Sequence, residues 1–375
     1  MKVNFYKHTL NTKELRKIDN VFKSNILSTG KFCKLFEQTF SKKFKNKYCS
    51  TFSSWTMASY TLLSSLNLKT NDEIIVSPLT WVSSINTIVL AGAKPVFADV
   101  DLNTGLIDPE NIRKKISKKT KAIIVVHLYG QMCDMKSISK ICKEKNIKLI
   151  EDCAHCVEGS REGILPGQLS YAAIFSFYAT KNITCGEGGA VITNDKSLDN
   201  ELKLARYHGK NNNVNRHMTY NHWDIKKISL KSNMTDISAG ILLAQIKKIN
   251  SNWKKRKNIW NKYLNFFKKY KEIRLFKKVK NSKHAMHLFT ILVPTNLRDK
   301  ILQQLIKKNI GVSVHYRSIS NVTYYKKTIK KSEIPNSILI GNSTISLPFY
   351  PDLTNKEIKY ILNSIKKIFA NYKIK

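Results

Sequence analysis

Three residues near the middle of the chain have side chains suited to covalent amine chemistry. Asp152 and His155 stand in Glu-Asp-Cys-Ala-His, directly after the apolar run Lys148 to Ile150, and Lys181 stands in Tyr-Ala-Thr-Lys-Asn, just past the run Ala173 to Phe177. Trp81 follows another such run, Glu73 to Val76, within Ser-Pro-Leu-Thr-Trp. An amine, an acid, a planar aromatic and hydroxyls gathered in one place are the parts of a pyridoxal phosphate site. The amine forms a Schiff base, and a carboxylate opposite the ring nitrogen keeps the pyridinium protonated as an electron sink. An aromatic face stacks on the ring, while hydroxyls and helix-start amides hold the phosphate. Spacing alone does not select this reading, because an acid and a lysine 29 positions apart suit many other arrangements.

These residues can meet only if the runs before them are strands of one sheet. From Ser54 to about Leu204, short β-branched runs alternate with helical stretches, the pattern of a mostly parallel sheet covered by helices. The spacing predicts strands at Glu73 to Val76, Pro95 to Asp99, Ala122 to His127, Lys148 to Glu151, Ala173 to Phe177 and Ala190 to Thr193. Helices are predicted over Met57 to Leu66, Val82 to Ala91, Pro109 to Ile116, Met135 to Lys145 and Leu198 to Tyr207. Pro109 behind Asp108 reads as a first-turn proline after its cap. In an open parallel sheet ligands sit at the carboxyl ends of the strands, which is where Trp81, Asp152 and Lys181 fall.

The Asn-rich stretch Lys210 to Met218 reads as an exposed loop, and an amphipathic helix runs from Thr235 through Phe267. A smaller unit follows, with a strand at Leu288 to Val293, a helix at Leu297 to Lys308, a strand at Gly311 to His315 and a last helix from Asn355 to Ala370. The expected layout is a large α/β domain over residues 12–250 and a small C-terminal α+β domain over 251–375, with residues 1–11 packing near the latter.

Composition narrows the class. The chain has 375 residues, 42% of them apolar, enough for one large or two moderate cores. No apolar run approaches the roughly 20 residues that span a bilayer, and Met1 to Lys13 is polar where a leader would be apolar. A cytoplasmic protein without membrane contact is the expectation. Seven scattered cysteines fit free thiols in a reducing compartment. The net charge of +39 invites a nucleic-acid reading, but only nine of the 65 basic residues are Arg and the 56 Lys are spread with Asn along the whole length. A phosphate-tracking surface is clustered and richer in Arg, so nucleic acid is not an expected partner, and the charge is read as a mild attraction for anionic small substrates. Cys153 and Cys156 lack a second ligand pair for zinc, so no metal is expected. Gly186-Glu187-Gly188-Gly189 precedes a strand, where the dinucleotide fingerprint would follow one.

Several strings, in order, resemble the DegT/DnrJ/StrS family of sugar aminotransferases. They are Thr80-Trp81-Val82-Ser83, Gly92-Ala93-Lys94-Pro95-Val96-Phe97, Thr120-Lys121-Ala122-Ile123, Glu151-Asp152-Cys153-Ala154-His155 and Phe175 through Thr184. Gly186-Glu187-Gly188-Gly189, Asn233-Met234-Thr235-Asp236-Ile237 and Ser346-Leu347-Pro348-Phe349-Tyr350-Pro351 belong with them, and the likeness runs from Leu27-Ser28-Thr29-Gly30 to the last helix. Within the family, Thr-Trp-Val-Ser and Lys-Asn-Ile-Thr-Cys are most similar to the UDP-4-amino-4-deoxy-L-arabinose type, which aminates the 4-keto group of a UDP-pentose.

The resemblance implies an α/β fold-type I transferase with a mostly parallel seven-stranded sheet, working with pyridoxal 5'-phosphate and its pyridoxamine form. By the same resemblance Lys181 is the Schiff-base lysine and proton shuttle, Asp152 pairs with the pyridinium nitrogen, His155 lies near the ring's phenolic oxygen, and Trp81 stacks on the ring. Ser176, Thr56 and the backbone of Met57 hold the phosphate, and Asn233 reaches the phosphate of a neighbouring subunit in a homodimer with shared sites. His315, Tyr316 and Arg317 contact substrate or the carboxylate of the amino donor. The implied reaction converts a nucleotide-linked keto sugar (a 4-keto hexose, 4-keto-6-deoxyhexose or pentose) to the amino sugar with L-glutamate as donor, for surface glycans. Alternatives on the same fold are a 3-aminotransferase, a non-catalytic regulator, and a sugar 3-dehydratase, which typically has His where Lys181 stands. The chain departs from the family pattern at Trp55, bulky at the phosphate turn, at Ser337 after Pro-Asn, and at Ala239-Gly240.

Overall fold

The computed structural model describes residues 1–210 and 223–375; most of the expected Asn-rich loop, residues 211–218, lies outside the described residues. Two helices the periodicity did not predict open the chain, α1 (Thr12–Phe22) and α2 (Lys31–Lys43). The first carries an Asn11/Glu14 capping box, and the second is capped from a distance: the buried Asp236 carboxylate accepts from the amides of Gly30, Phe32 and Cys33.

The sheet is then laid down by β1 (Tyr48–Phe52), β2 (Glu73–Val76), β3 (Lys94–Phe97), β4 (Thr120–Val126) and β5 (Lys148–Asp152). A two-residue β6 (Ser160–Arg161) precedes its last members, β7 (Ala172–Ser176) and β8 (Gly189–Thr193). The connecting helices are α3 (Trp55–Ser64), α4 (Ser83–Leu90), α5 (Pro109–Lys115) and α6 (Met135–Glu144), and α7 (Lys196–Ala205) follows β8. The order across the sheet is β1-β8-β7-β5-β4-β2-β3, with β8 antiparallel to both its neighbours and the pairs from β7 to β3 parallel. Helices cover both faces, so the strands are near-continuous apolar runs whose successive residues feed opposite cores. Ile75, Ile123 and Leu149 pack with Ile138 and Ile141 of α6, whereas Ile74, Ile124 and Ile150 pack with Leu62 of α3, Ile85 of α4 and Leu202 of α7.

The chain continues through α8 (Asp236–Phe267), the short β9 (Ser282–Lys283), β10 (Phe289–Leu292), α9 (Arg298–Lys307), α10 (Pro335–Ser343), β11 (Thr344–Leu347) and α11 (Asn355–Asn371). Residue 250 falls inside α8. Leu242 and Ile249 of that helix join the core of Phe36, Phe40 and Phe175, while Ile259, Tyr263 and Phe267 join that of Phe289, Ile345 and Phe369. Val3 packs into this second core and bridges Ile310.

The expected strand at Gly311 to His315 is not formed. Ser313 makes a single bridge to Ser346, and beyond it the backbone serves side chains: the His315 carbonyl accepts from the Tyr129 hydroxyl, and the His315 ring pairs with the Ser346 hydroxyl. Among the described residues no helix is long and apolar enough to cross a membrane, and all seven cysteines are free.

Candidate active site

Strands β2, β5 and β7 end at one edge of the sheet, and a cavity of about 490 Å³ opens there. Its wall brings together Thr56, Trp81, Asp152, His155, Ser176, Lys181, His315 and Tyr316. Met57, Asn233 and Arg317 are not part of it. Met57 donates its amide to the Ser54 hydroxyl at 3.1 Å, closing the N-cap of α3. Asn233 donates to the hydroxyls of Ser28 and Thr29 at 2.8 and 2.7 Å, and the exposed Arg317 donates to the Asn321 carbonyl at 3.3 Å.

Asp152 ends β5 with its carboxylate 4% exposed. One oxygen accepts from Ser84 at 2.9 Å and the other from the Ala154 amide at 3.0 Å. Burial pushes its pKa up; those two donors and the charges of Lys181 and His127 pull against it. Lys181 sits in the loop after β7, held by its amide to the Tyr178 carbonyl at 2.9 Å. Its amino group has no hydrogen bond or ion pair among the described residues, and burial pushes its pKa down to about 8 against the pull of Asp152.

Beside the amine lies a seat for an anion. With Ser54 as N-cap, the amides of Trp55 and Thr56 have no acceptor among the described residues, as expected of the first turn of a helix. Ser176 reaches the same corner through its register with Gly189, which must be glycine: a Cβ there would lie 2.4 Å from the Ser54 carbonyl oxygen. Trp81 is 60% exposed at the cavity mouth, its ring 6.0 Å from that of Tyr316. It is therefore no core residue. A free amine, a buried carboxylate, a bare aromatic face and orphaned helix amides on one cavity are a set of groups that fits pyridoxal phosphate.

His155 is anchored at both nitrogens. Nδ1 accepts from the Tyr129 amide at 3.2 Å, which leaves the proton on Nε2, 3.1 Å from the Tyr316 hydroxyl. Burial, with Lys181, His287 and His315 nearby, holds the ring well below the usual imidazole pKa, so it is neutral.

Four residues that the strand-end reasoning does not pick out, Ser84, Phe5, Tyr6 and His287, also line the cavity. Ser84 could have been found as a hydroxyl at a helix start just past Trp81. Phe5 and Tyr6 carry no local signal, because they arrive from the N-terminus through the pairing of Val3. His127, Glu151 and Cys153 form the one group with metal-ligand geometry among the described residues. Two of its three ligands are already engaged: His127 bonds Glu151 at 2.7 Å and accepts from the Cys133 amide, while Glu151 also takes Gly167 and Ser170.

Sheet order, strand-end cavity and near-neutral lysine together place the chain among the fold-type I enzymes that use pyridoxal phosphate. It belongs to the DegT/DnrJ/EryC1/StrS aminotransferase family, whose description matches residues 8–366. The spore coat polysaccharide biosynthesis protein SpsC of Bacillus subtilis is 31% identical over 366 residues, covering 95% of this chain and 94% of SpsC. Among solved structures, PseC of Helicobacter pylori, an aminotransferase of pseudoaminic acid biosynthesis, superposes with a TM-score of 0.93 at 28% identity, covering 99% of this chain and 100% of PseC. Spr1654 of Streptococcus pneumoniae, solved in its pyridoxal phosphate form, superposes with a TM-score of 0.92 at 25% identity over 99% of both chains.

Proposed function

We propose that this protein is a cytoplasmic enzyme that transfers an amino group from L-glutamate to carbon 4 of a nucleotide-linked keto sugar, for the synthesis of surface glycans. Lys181 is the observation that carries the reading: an amine without a partner among the described residues, its pKa pushed down to about 8, in one cavity with a buried carboxylate. The roles of SpsC and PseC in polysaccharide and pseudoaminic acid biosynthesis support a sugar as acceptor.

When bound, pyridoxal phosphate supplies an aldehyde that carries the amino group and a ring that absorbs negative charge beside it. The chain does the rest. Lys181 Nζ can hold or release a proton near neutral pH, as a group that serves as base and acid in turn must. Asp152, ionised, holds the proton of the ring nitrogen. Trp81 covers one ring face, and the start of α3 with Ser176 seats the phosphate. His315 and Tyr316 meet the substrates from the C-terminal unit, whereas Arg317 would have to turn inward to reach a carboxylate.

A homodimer is part of the proposal. Leu15, Phe22, Ile26, Leu27 and Leu35 are large apolar side chains left exposed on and beside α1 and α2. A second copy would cover them and bring Asn233 towards the partner's phosphate seat.

The test is incubation of the cofactor-loaded protein with glutamate and a panel of UDP-, dTDP- and GDP-linked 3- and 4-keto sugars. The expected result is amination of a 4-keto sugar, with Lys181→Ala binding pyridoxamine phosphate but not turning over. Near-normal turnover by Lys181→Ala would refute the reading.

A further inference from the structure

His287 meets Asn182, the residue after Lys181, with Nδ1 lying 3.0 Å from Asn182 Oδ1. The amide of Asn182 cannot turn over, because its nitrogen already donates to Glu158 at 2.7 Å and to the Ala285 carbonyl at 3.0 Å. Glu158 is in turn paired with Arg256, the two side chains being 0% and 2% exposed. An amide oxygen only accepts, so Nδ1 of His287 carries the proton and Nε2 is a bare lone pair.

That nitrogen has no partner among the described residues, yet His287 is only 5% exposed and lines the cavity beside Lys181. Its ring lies against that of His155, centroids 4.3 Å apart, and the two have opposite tautomers. Burial, with the charges of Lys181 and Arg256 nearby, keeps His287 from taking a second proton. A lone pair in this place repels the oxygens of a diphosphate or a carboxylate. The group it suits is a neutral hydroxyl.

We propose that His287 Nε2 accepts a hydrogen bond from the sugar hydroxyl next to the carbonyl that is aminated, so that the enzyme selects keto sugars that keep this hydroxyl. The inference rests on the keto-sugar reading above. Asn182 is the positioning residue: held by Glu158 and Arg256, it dictates the tautomer of His287.

Two variants separate this role from a structural one. His287→Asn keeps a nitrogen donor for Asn182 and removes Nε2, while Asn182→Ala removes the acceptor that holds the proton on Nδ1 and so frees the ring to carry it on Nε2, turning Nε2 into a donor. The probes are a UDP-linked 4-keto-6-deoxy sugar and its 3-deoxy counterpart. The wild type should favour the hydroxyl-bearing sugar by about tenfold or more in kcat/KM, the worth of one directed hydrogen bond. Both variants should narrow that preference to about twofold or less, with the KM for glutamate unchanged. Independently of turnover, ¹⁵N-histidine spectra of the cofactor-free protein should show Nε2 of His287 without a proton, the signal being assigned by its loss in His287→Asn. An unchanged preference in both variants, a shift in the glutamate KM in place of the sugar preference, or a proton on Nε2 would overturn the proposal. Failure of the loaded wild type to turn over any keto sugar would overturn the sugar reading and this inference with it.

Discussion

The Ser84 hydroxyl donates to Asp152 across 2.9 Å, joining the first turn of α4 to the end of β5. It is one of two donors opposing the burial that raises the Asp152 pKa. Without it the carboxyl holds its proton to a higher pH, and a protonated Asp152 cannot retain the proton of the ring nitrogen. Ser84→Ala should therefore move the acid limb of the kcat/KM profile to higher pH. It should also weaken cofactor binding about tenfold or more, since a hydrogen bond to a charged group contributes roughly 1.5–3 kcal/mol. Both are read by titrating cofactor absorbance and rate against pH.

Lys181 predicts a second pH dependence, in which the same cause, burial, shifts the pKa the other way. Its pKa is lowered to about 8, so below that pH the amine is mostly protonated and cannot attack an aldehyde. The rate at which cofactor-free protein gains its visible band should rise through about pH 8 and then level off. Asp152 opposes the lowering, so Asp152→Asn should move the midpoint down. A midpoint above 10 in the wild type would contradict the burial of this amine.

Arg256 and Glu158 form an ion pair deep behind the lysine loop. Arg256→Met leaves Glu158 as an unpaired buried charge and should lower unfolding stability by about 3–5 kcal/mol, measured by urea denaturation. The double variant Arg256→Met/Glu158→Gln should recover part of the loss, because the stranded charge is gone.

If Asn233 serves the partner's site, Asn233→Ala and Lys181→Ala proteins, each inactive or nearly so alone, should regain activity when mixed and allowed to exchange subunits. Mixtures no more active than their separate components would show that each site is complete within one chain.

The catalytic edge of the sheet was legible because parallel strands buried on both faces are unbroken apolar runs, and the residues after them stand out as polar punctuation. Trp81, Asp152 and Lys181 were placed that way, whereas Ser176 came only from the family resemblance. The antiparallel β1 and the small-domain β11 escaped notice: Tyr-Cys-Ser-Thr-Phe and Thr-Ile-Ser-Leu mix hydroxyls with apolar residues, and their strand character comes from partners far along the chain. Gly311 to His315 erred the other way, because apolar alternation cannot reveal that the His315 carbonyl is claimed by Tyr129. Contacts such as Tyr316 with His155 and His287 with Asn182 span 161 and 105 positions, and no local pattern encodes them.

The indole of Trp81 stands 60% open at the mouth of the cavity. Loading would bury it against a conjugated ring, so its emission should be quenched as the cofactor arrives. The protein thus carries its own optical gauge of occupancy, and Trp81→Phe, by silencing that part of the signal, would calibrate it against the light of the other four tryptophans.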